Sequence, residues 1–205
     1  MTAPAAPLGP LALPSGTRPR PRNLMNLGVL LVCTGGLALF VTLAAAYVTV
    51  GHLAKVWPPH GVYLDVYTGN MLTLTAVMSV ATVEWAAWAV KRDDPAQGTW
   101  GLLMTLVFGS GFVLLLWQLG SHLGFGPGNA KYGAFAVLLF AMFGAAGAVA
   151  LAGVGAMLGV LPRVIARQAT STSHEMVRAV AWYWDFVVAA WLIVYSVVWL
   201  FTGIR

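Results

Sequence analysis

This sequence has very little charge. Only 8% of its 205 residues are charged, with 6 acidic and 11 basic side chains, whereas roughly a quarter of a typical soluble domain is charged. Hydrophobic residues make up 60% of the chain. So few polar side chains cannot cover a globule of this size in water. The composition therefore excludes a soluble enzyme and predicts a membrane protein.

Cysteine and histidine are also scarce. Cys33 is the single cysteine, which excludes an intramolecular disulfide and a cysteine-rich metal site. His52, His60, His122 and His174 fall at helix ends or in connections, so no span carries the facing pair that a membrane haem b requires. We therefore expect no cofactor bound by this chain and no catalytic centre of its own. The net charge of +5 comes from scattered cations, so no nucleic-acid partner is expected.

Long apolar runs dominate the sequence instead. They cover residues 24–50, 66–90, 99–122, 133–161 and 177–202. Each run exceeds the ~20 residues that cross a hydrocarbon core as a helix, and none alternates as a strand would. The sequence predicts an all-α integral membrane bundle of five transmembrane helices, forming one domain over 24–205. Pro95 and Pro162 are expected at helix boundaries, and the last connection has room for a short surface helix over 163–168.

The distribution of cations predicts the orientation of the helices. Eight cations collect on one side of the predicted bundle and three on the other. The eight are Arg18, Arg20, Arg22, Lys91, Arg92, Arg163, Arg167 and Arg178, and the three are Lys55, Lys131 and Arg205. Because Lys and Arg are retained in the cytoplasm during insertion, we predict a cytoplasmic N-terminus and an external C-terminus in a bacterial cell membrane. Residues 1–23 are predicted to be a proline-rich tail without a core, and not a signal peptide.

Two carboxylates lie within the predicted spans, where a charge is costly. Glu84 is about six residues from the cytoplasmic end of the second span and Asp185 about eight residues into the fifth, which places both roughly 9–12 Å deep. They are candidates for a proton-handling pair, or for carboxylates that line a proton entrance on a partner. Alternatively, Glu84 pairs with Lys91 or Arg92, and Asp185 accepts hydrogen bonds that fix helix packing.

The fourth span carries a ridge of small residues that predicts close helix packing. The ridge consists of Gly144, Ala148, Ala152, Gly155, Ala156 and Gly159. It can pack within the five-helix bundle or against another subunit. In the aromatic fifth span, Trp184 and Trp191 are further candidates for a helix or subunit interface.

Several motifs, in this order, resemble subunit III of the haem-copper (cytochrome c) oxidases, in the short five-helix form that lacks the first two helices. They are Ala45-Ala46-Tyr47 at the end of the first span, Trp57-Pro58-Pro59, Lys91-Arg92-Asp93-Asp94, Trp117-Gln118, and Tyr183-Trp184-Asp185-Phe186-Val187 with Trp191. The resemblance covers roughly residues 24–204. It implies the same five-helix fold and the same cytoplasmic N-terminus.

The sequence also departs from that family. The family's buried glutamate in the first of these spans aligns with Gly36, and both histidines of its Phe-His-Gly-x-His element are missing near Phe143. Its Trp-His-Phe-Val-Asp element becomes Trp184-Asp185-Phe186-Val187-Val188 here. The polar roles of those family residues therefore do not transfer to this chain.

The resemblance implies a non-catalytic subunit of a respiratory terminal oxidase. Such a subunit packs beside the catalytic subunit I and other oxidase subunits, binds phospholipid and supports proton uptake, while haem and copper reside in its partners. An accessory subunit of a nitric oxide reductase is one alternative. A small transporter or assembly factor is another, although the spans lack internal repeats and a midplane cluster of polar groups.

Overall fold

A computed structural model of the chain describes residues 24–170 and 173–201. Its elements are α1 (Leu24–Leu53), α2 (Val66–Lys91), α3 (Pro95–Ser121), α4 (Gly133–Ile165), α5 (Glu175–Tyr195) and a π-helical turn (Ser196–Leu200). All five α-helices are long and apolar enough to cross a membrane, and the described residues contain no β-strand. The prediction of an all-α, five-span membrane protein is confirmed. The predicted tail, Thr202 and Arg205 lie outside the described residues.

Side-chain caps define the starts of two helices. The Asp65 carboxylate accepts hydrogen bonds from the Tyr67 backbone N–H (3.0 Å) and from the Thr68 hydroxyl at the start of α2. The hydrogen bond from Thr68 holds the pKa of Asp65 below its usual value. Asp94 caps α3 in the same way, through Gln97 N–H at 3.1 Å. As predicted for Pro95, α3 begins at this proline rather than at residue 99.

The end of α4 differs from the prediction. The helix continues through Pro162 to Ile165, so the expected stop at Pro162 and the separate surface helix over 163–168 are both wrong. Proline removes only one backbone hydrogen bond here, because it lies in the last turn of the helix. That turn is held by Val164, which is fully buried, and it ends with Arg167 in a left-handed conformation (φ 54°).

Helix α5 lies at the centre of the bundle. It packs against α1, α2 and α4, while α3 packs against α2 and α4, and α1 mainly against α5 and α4. The burial of the helices follows this arrangement. In the most apolar stretch of α5, 50% of the residues are buried, against 11% in α1. Helix α1 is therefore a peripheral element, and α5 is the element around which the others assemble.

Glycines allow α3 and α4 to approach the Trp184 ring of α5 closely. A Cβ atom added at Gly109 would lie 2.8 Å from this ring, and one added at Gly153 would lie 2.7 Å from it. Helices α2 and α3 meet in a similar way at Gly101, where an added Cβ would lie 2.8 Å from the Ala86 side chain. In lipid, such close packing is a main source of helix association. Three helices thus meet at one tryptophan.

Candidate functional site

Hydrogen bonds between side chains connect α5 to α2 over about 16 Å of the helix length, roughly half of the hydrocarbon core. The pairs are Trp184 Nε1 to Ser79 Oγ (2.8 Å), Trp191 Nε1 to Thr73 Oγ1 (3.1 Å) and Tyr195 OH to Asn70 Oδ1 (2.5 Å). Both tryptophans are fully buried, at 1% and 0% exposure, so they form an interface between helices inside this chain. The ladder fixes the antiparallel register of α2 and α5. It also fixes which of their outward-facing residues are neighbours.

The two membrane-embedded carboxyl groups come together at this junction. Glu84 of α2 and Asp185 of α5 lie near enough to each other for their charges to interact. Measured along the helices, Glu84 is about 10 Å from Lys91 and Asp185 about 15 Å from Glu175. The pair therefore lies inside the apolar part of the bundle.

The alternative of an ion pair between Glu84 and Lys91 or Arg92 is not formed among the described residues, and the Arg92 guanidinium lies over the Trp88 ring instead, 3.9 Å from its centroid. The alternative that Asp185 accepts hydrogen bonds that fix helix packing remains a prediction. The Asp185 Oδ1 atom is buried, and within the described part of the chain it has no hydrogen-bond partner. The hydrogen-bonding capacity of the carboxyl pair is therefore incompletely used within this chain.

The surroundings of the pair come from α1 and α5. Cys33 of α1 lies near both Asp185 and Tyr183 of α5. The Tyr183 hydroxyl points away from the pair and donates to the Val149 carbonyl of α4 at 3.0 Å. Glu84 is exposed at the surface of this chain, and Asp185 is half-buried. The site is thus an outward-facing pair of carboxyl groups on one side of α5.

The small-residue ridge of α4 faces away from the other helices. Gly144, Gly155 and Gly159 have no atom of another element within 4 Å of the position of an added Cβ. The ridge borders two apolar grooves of about 510 Å³ each, one between α3 and α4 and the other between α1, α4 and α5. Arg163 lines the second groove at the end nearest the C-terminus of α4. As a subunit interface, the ridge remains a prediction.

The sequence did not reveal which small and polar residues complete these contacts. Ser79 and Thr73 are the hydrogen-bond acceptors for the two buried indoles, and Gly109 and Gly153 enclose one of them. The hydroxyl groups in an otherwise apolar span were a usable signal, because polar groups in lipid seek partners on neighbouring helices. Assigning those partners requires the rotation of each helix about its axis.

Within residues 24–170 and 173–201, no group of three or more His, Cys, Asp or Glu side chains could hold a metal ion. His122 turns its Nδ1 to the Gln118 carbonyl at 2.8 Å, and His52 packs against the Phe201 ring with centroids 5.3 Å apart. These two histidines thus make local contacts at the helix ends.

These features define a class of protein, namely a multi-pass helical membrane protein whose central helix is aromatic. The profile of the family described as "Cytochrome c oxidase subunit III" matches residues 19–203. Because the match covers most of the sequence, the chain belongs to the cytochrome c oxidase subunit III family.

Individual relatives show the same similarity at modest identity. Cytochrome c oxidase subunit 3 of Locusta migratoria is 29% identical over 150 residues, which is 72% of this chain and 56% of the relative. The protein of the same name from Thermostichus vulcanus is 26% identical over 179 residues, 86% of this chain and 87% of the relative. The one from Anopheles quadrimaculatus is 31% identical over 150 residues, again 72% and 56%. The chain thus spans little more than half the length of some relatives and most of another.

Helices α1 and α5 approach each other closely at Gly36. A Cβ atom at Gly36, the position predicted to align with the family's glutamate, would collide with the Phe186 ring. The edge of that ring also packs against Phe40, with centroids 6.4 Å apart. The space next to Gly36 is therefore filled by an aromatic side chain of α5. A carboxylate at this position would require Phe186 to move.

Proposed function

We propose that this protein is a non-catalytic, membrane-embedded subunit of a haem-copper terminal oxidase, which packs beside the catalytic subunit and supports its proton uptake. The main support is the match of the subunit III family profile over residues 19–203. The bundle itself adds two supports, a carboxyl pair at membrane depth and apolar grooves on its outer surface. The proposed location is a bacterial cell membrane with the N-terminus in the cytoplasm, supported by the eight cations on one side.

Lipid binding is part of the same proposal. The groove between α1, α4 and α5 is lined by Val29, Ala152, Ala156 and Val180, with Arg163 at the end predicted to be cytoplasmic. An apolar trough with a cation at its mouth suits an acyl chain and an anionic headgroup. The other groove, between α3 and α4, has mostly apolar walls near Trp117 and Phe143, with Ser121 among its lining residues. Phospholipid is therefore the expected ligand of this chain, and haem and copper are expected in its partner subunits.

The test is isolation of the chain from its native membrane through an affinity tag. Larger membrane subunits with haem absorbance should co-purify, and the complex should consume oxygen. This polypeptide alone, after separation from its partners, should show no Soret band. Isolation as a stable lone monomer, or a Soret band that follows this chain, would overturn the proposal. Consumption of nitric oxide rather than oxygen would instead support the accessory subunit of a nitric oxide reductase.

The proton-uptake component is tested by Asp185→Asn in the complex. We expect activity to decline faster over repeated turnovers while the initial rate changes little, because the pair would steady proton delivery rather than conduct it. The matched control is Asp94→Asn, since asparagine caps a helix about as well as aspartate. An immediate and complete loss of turnover would contradict a supporting role and indicate a direct proton path.

A further inference from the structure

The ionisable residues of this bundle are distributed unevenly over its faces. Helix α3 contains none, and α4 contains only Arg163, close to its end. In contrast, the face formed by α2 and the outer side of α5 carries both membrane-embedded carboxyl groups. We call this surface the α2–α5 face. Its residues are Val77 and Glu84 of α2, and Trp182, Asp185, Ala189, Leu192 and Ser196 of α5, all of them at least partly exposed.

The spacing of these residues shows that the α2–α5 face is continuous. Those of α5 recur every three or four positions, which places them along one side of the helix. The hydrogen bond from Tyr195 to Asn70 lies at the edge of the same surface. Helix α5 lies between α1 and α2, so it forms the central part of this face.

Ionisable residues within a membrane almost always face a bundle interior or a water-filled cavity, where they pair with one another or with backbone carbonyls. Glu84 faces outward from this chain, and the buried Oδ1 of Asp185 has no hydrogen-bond donor among the described residues. A lipid-facing carboxylate pair would therefore break this rule. The α2–α5 face obeys it only if it lies inside a larger helical assembly.

Among the described residues, the cations next to these parts of α2 and α5 do not supply the missing donor. Arg178, two turns before Asp185 on α5, lies over the Trp182 ring at 4.8 Å from its centroid. Arg92 is engaged in the same way with Trp88. Both guanidinium groups thus lie toward the predicted cytoplasmic edge, away from the carboxyl pair. The negative charge of the carboxyl pair and the Asp185 Oδ1 acceptor must therefore be matched by a group from another chain.

We propose that the α2–α5 face receives a transmembrane helix of a neighbouring oxidase subunit, which presents an arginine or lysine side chain to Glu84 and Asp185. The occupant follows from charge complementarity, since the face offers two carboxyl groups, and the buried Oδ1 atom of Asp185 has no hydrogen-bond partner among the described residues. The inference rests on the proposed function, because it requires a partner subunit. It goes further in naming the face, the contact residues and the chemistry of the partner.

Crosslinking within the membrane tests the position of the partner. A benzophenone side chain is introduced at Val77, on the α2–α5 face, and separately at Val107, which is similarly exposed on α3. Irradiation of the assembled complex should join a different, larger membrane subunit to position 77 and not to position 107. Crosslinks to a second copy of this chain, to lipid alone, or equally from both positions would overturn the proposal.

Charge reversal tests the chemistry of the partner. Glu84→Lys should lower the amount of this chain retained with the haem-bearing subunits by at least about tenfold, because like charges then meet at the interface. Glu84→Gln keeps the shape and the hydrogen-bonding capacity, so it should lower retention by a smaller factor. Asp94→Asn, off this face, should leave retention unchanged.

The outcomes separate the two proposals. If the unaltered chain co-purifies with haem-bearing subunits but both Glu84 variants are retained equally well, the proposed function stands and the cationic contact is refuted. If the unaltered chain does not co-purify, the proposed function itself fails. A folding defect in Glu84→Lys is recognised from its helical circular dichroism, and the Glu84→Gln result and the crosslinks at position 77 then decide.

Discussion

Helices α5 and α1 are both long and apolar enough to cross a membrane, yet they are held in opposite ways. Helix α5 is central, with half of its most apolar stretch buried and its indole groups hydrogen-bonded to α2. Helix α1 is peripheral, with 11% of the corresponding stretch buried and with Leu27, Leu30 and Leu31 more than half exposed. Apolar character alone therefore does not determine whether a membrane helix is interior. Steric fit and hydrogen bonds to neighbouring helices make that distinction.

The largest expected difference between the two helices comes from truncating an apolar side chain. Trp191→Ala should lower the free energy of unfolding by about 3–5 kcal/mol, because the indole is fully buried and packs edge-on against Phe112. Leu31→Ala on α1 should cost less than about 1 kcal/mol, since Leu31 is 65% exposed. The measurement is an SDS titration of the overexpressed chain in detergent micelles, followed by circular dichroism. Equal losses would show that α1 is as well packed as α5.

A smaller difference should follow from adding one methyl group. Gly153→Ala places a Cβ atom 2.7 Å from the Trp184 ring, and overpacking of this kind costs about 1–3 kcal/mol. Gly35→Ala on α1 meets no atom within 4 Å, so it should leave stability unchanged or raise it by up to about 1 kcal/mol through helix propensity. The same SDS titration reports both variants. A tolerated alanine at 153 would mean that the Trp184 ring shifts easily.

The smallest difference should come from removing a hydroxyl group. Ser79→Ala takes away the acceptor of the Trp184 indole N–H. The loss should be about 0.6 kcal/mol and at most about 1.7 kcal/mol, the mean and the maximum for hydrogen bonds between membrane helices. Thr42→Ala on α1 removes a hydroxyl that bonds only to the Ala38 carbonyl of its own helix, so its effect should be near zero. A double-mutant cycle with Trp184→Phe isolates the pair energy. Additive losses in that cycle would refute the coupling.

The sequence predicted the number of spans and most of their boundaries, because hydrophobic length determines what crosses a bilayer. It placed the start of α2 at Val66 and that of α4 at Gly133, as observed. It failed at Pro162, where the burial of Val164 outweighs the helix-breaking character of proline. Boundaries that depend on tertiary contacts are not encoded in local composition.

Helix rotation was not predictable, and the candidate site depends on it. The spans are apolar on all sides, so no polar stripe marks an outer face. Gly153 and Gly155 are two positions apart in the same helix, yet one contacts Trp184 and the other faces outward. Likewise, Glu84 and Asp185 were identified from their depth alone, and only the ladder of hydrogen bonds between α2 and α5 brings them together.

The enclosure of Trp184 by Gly109 and Gly153 has an evolutionary consequence. A larger residue at either glycine requires a smaller ring at 184, and a smaller ring in turn permits larger residues at both glycines. These three positions, on three different helices, are therefore expected to change together during divergence. The outward-facing residues of α1 have no such close contacts with the other described helices. They can therefore be substituted independently of one another, unless a neighbouring subunit packs against them.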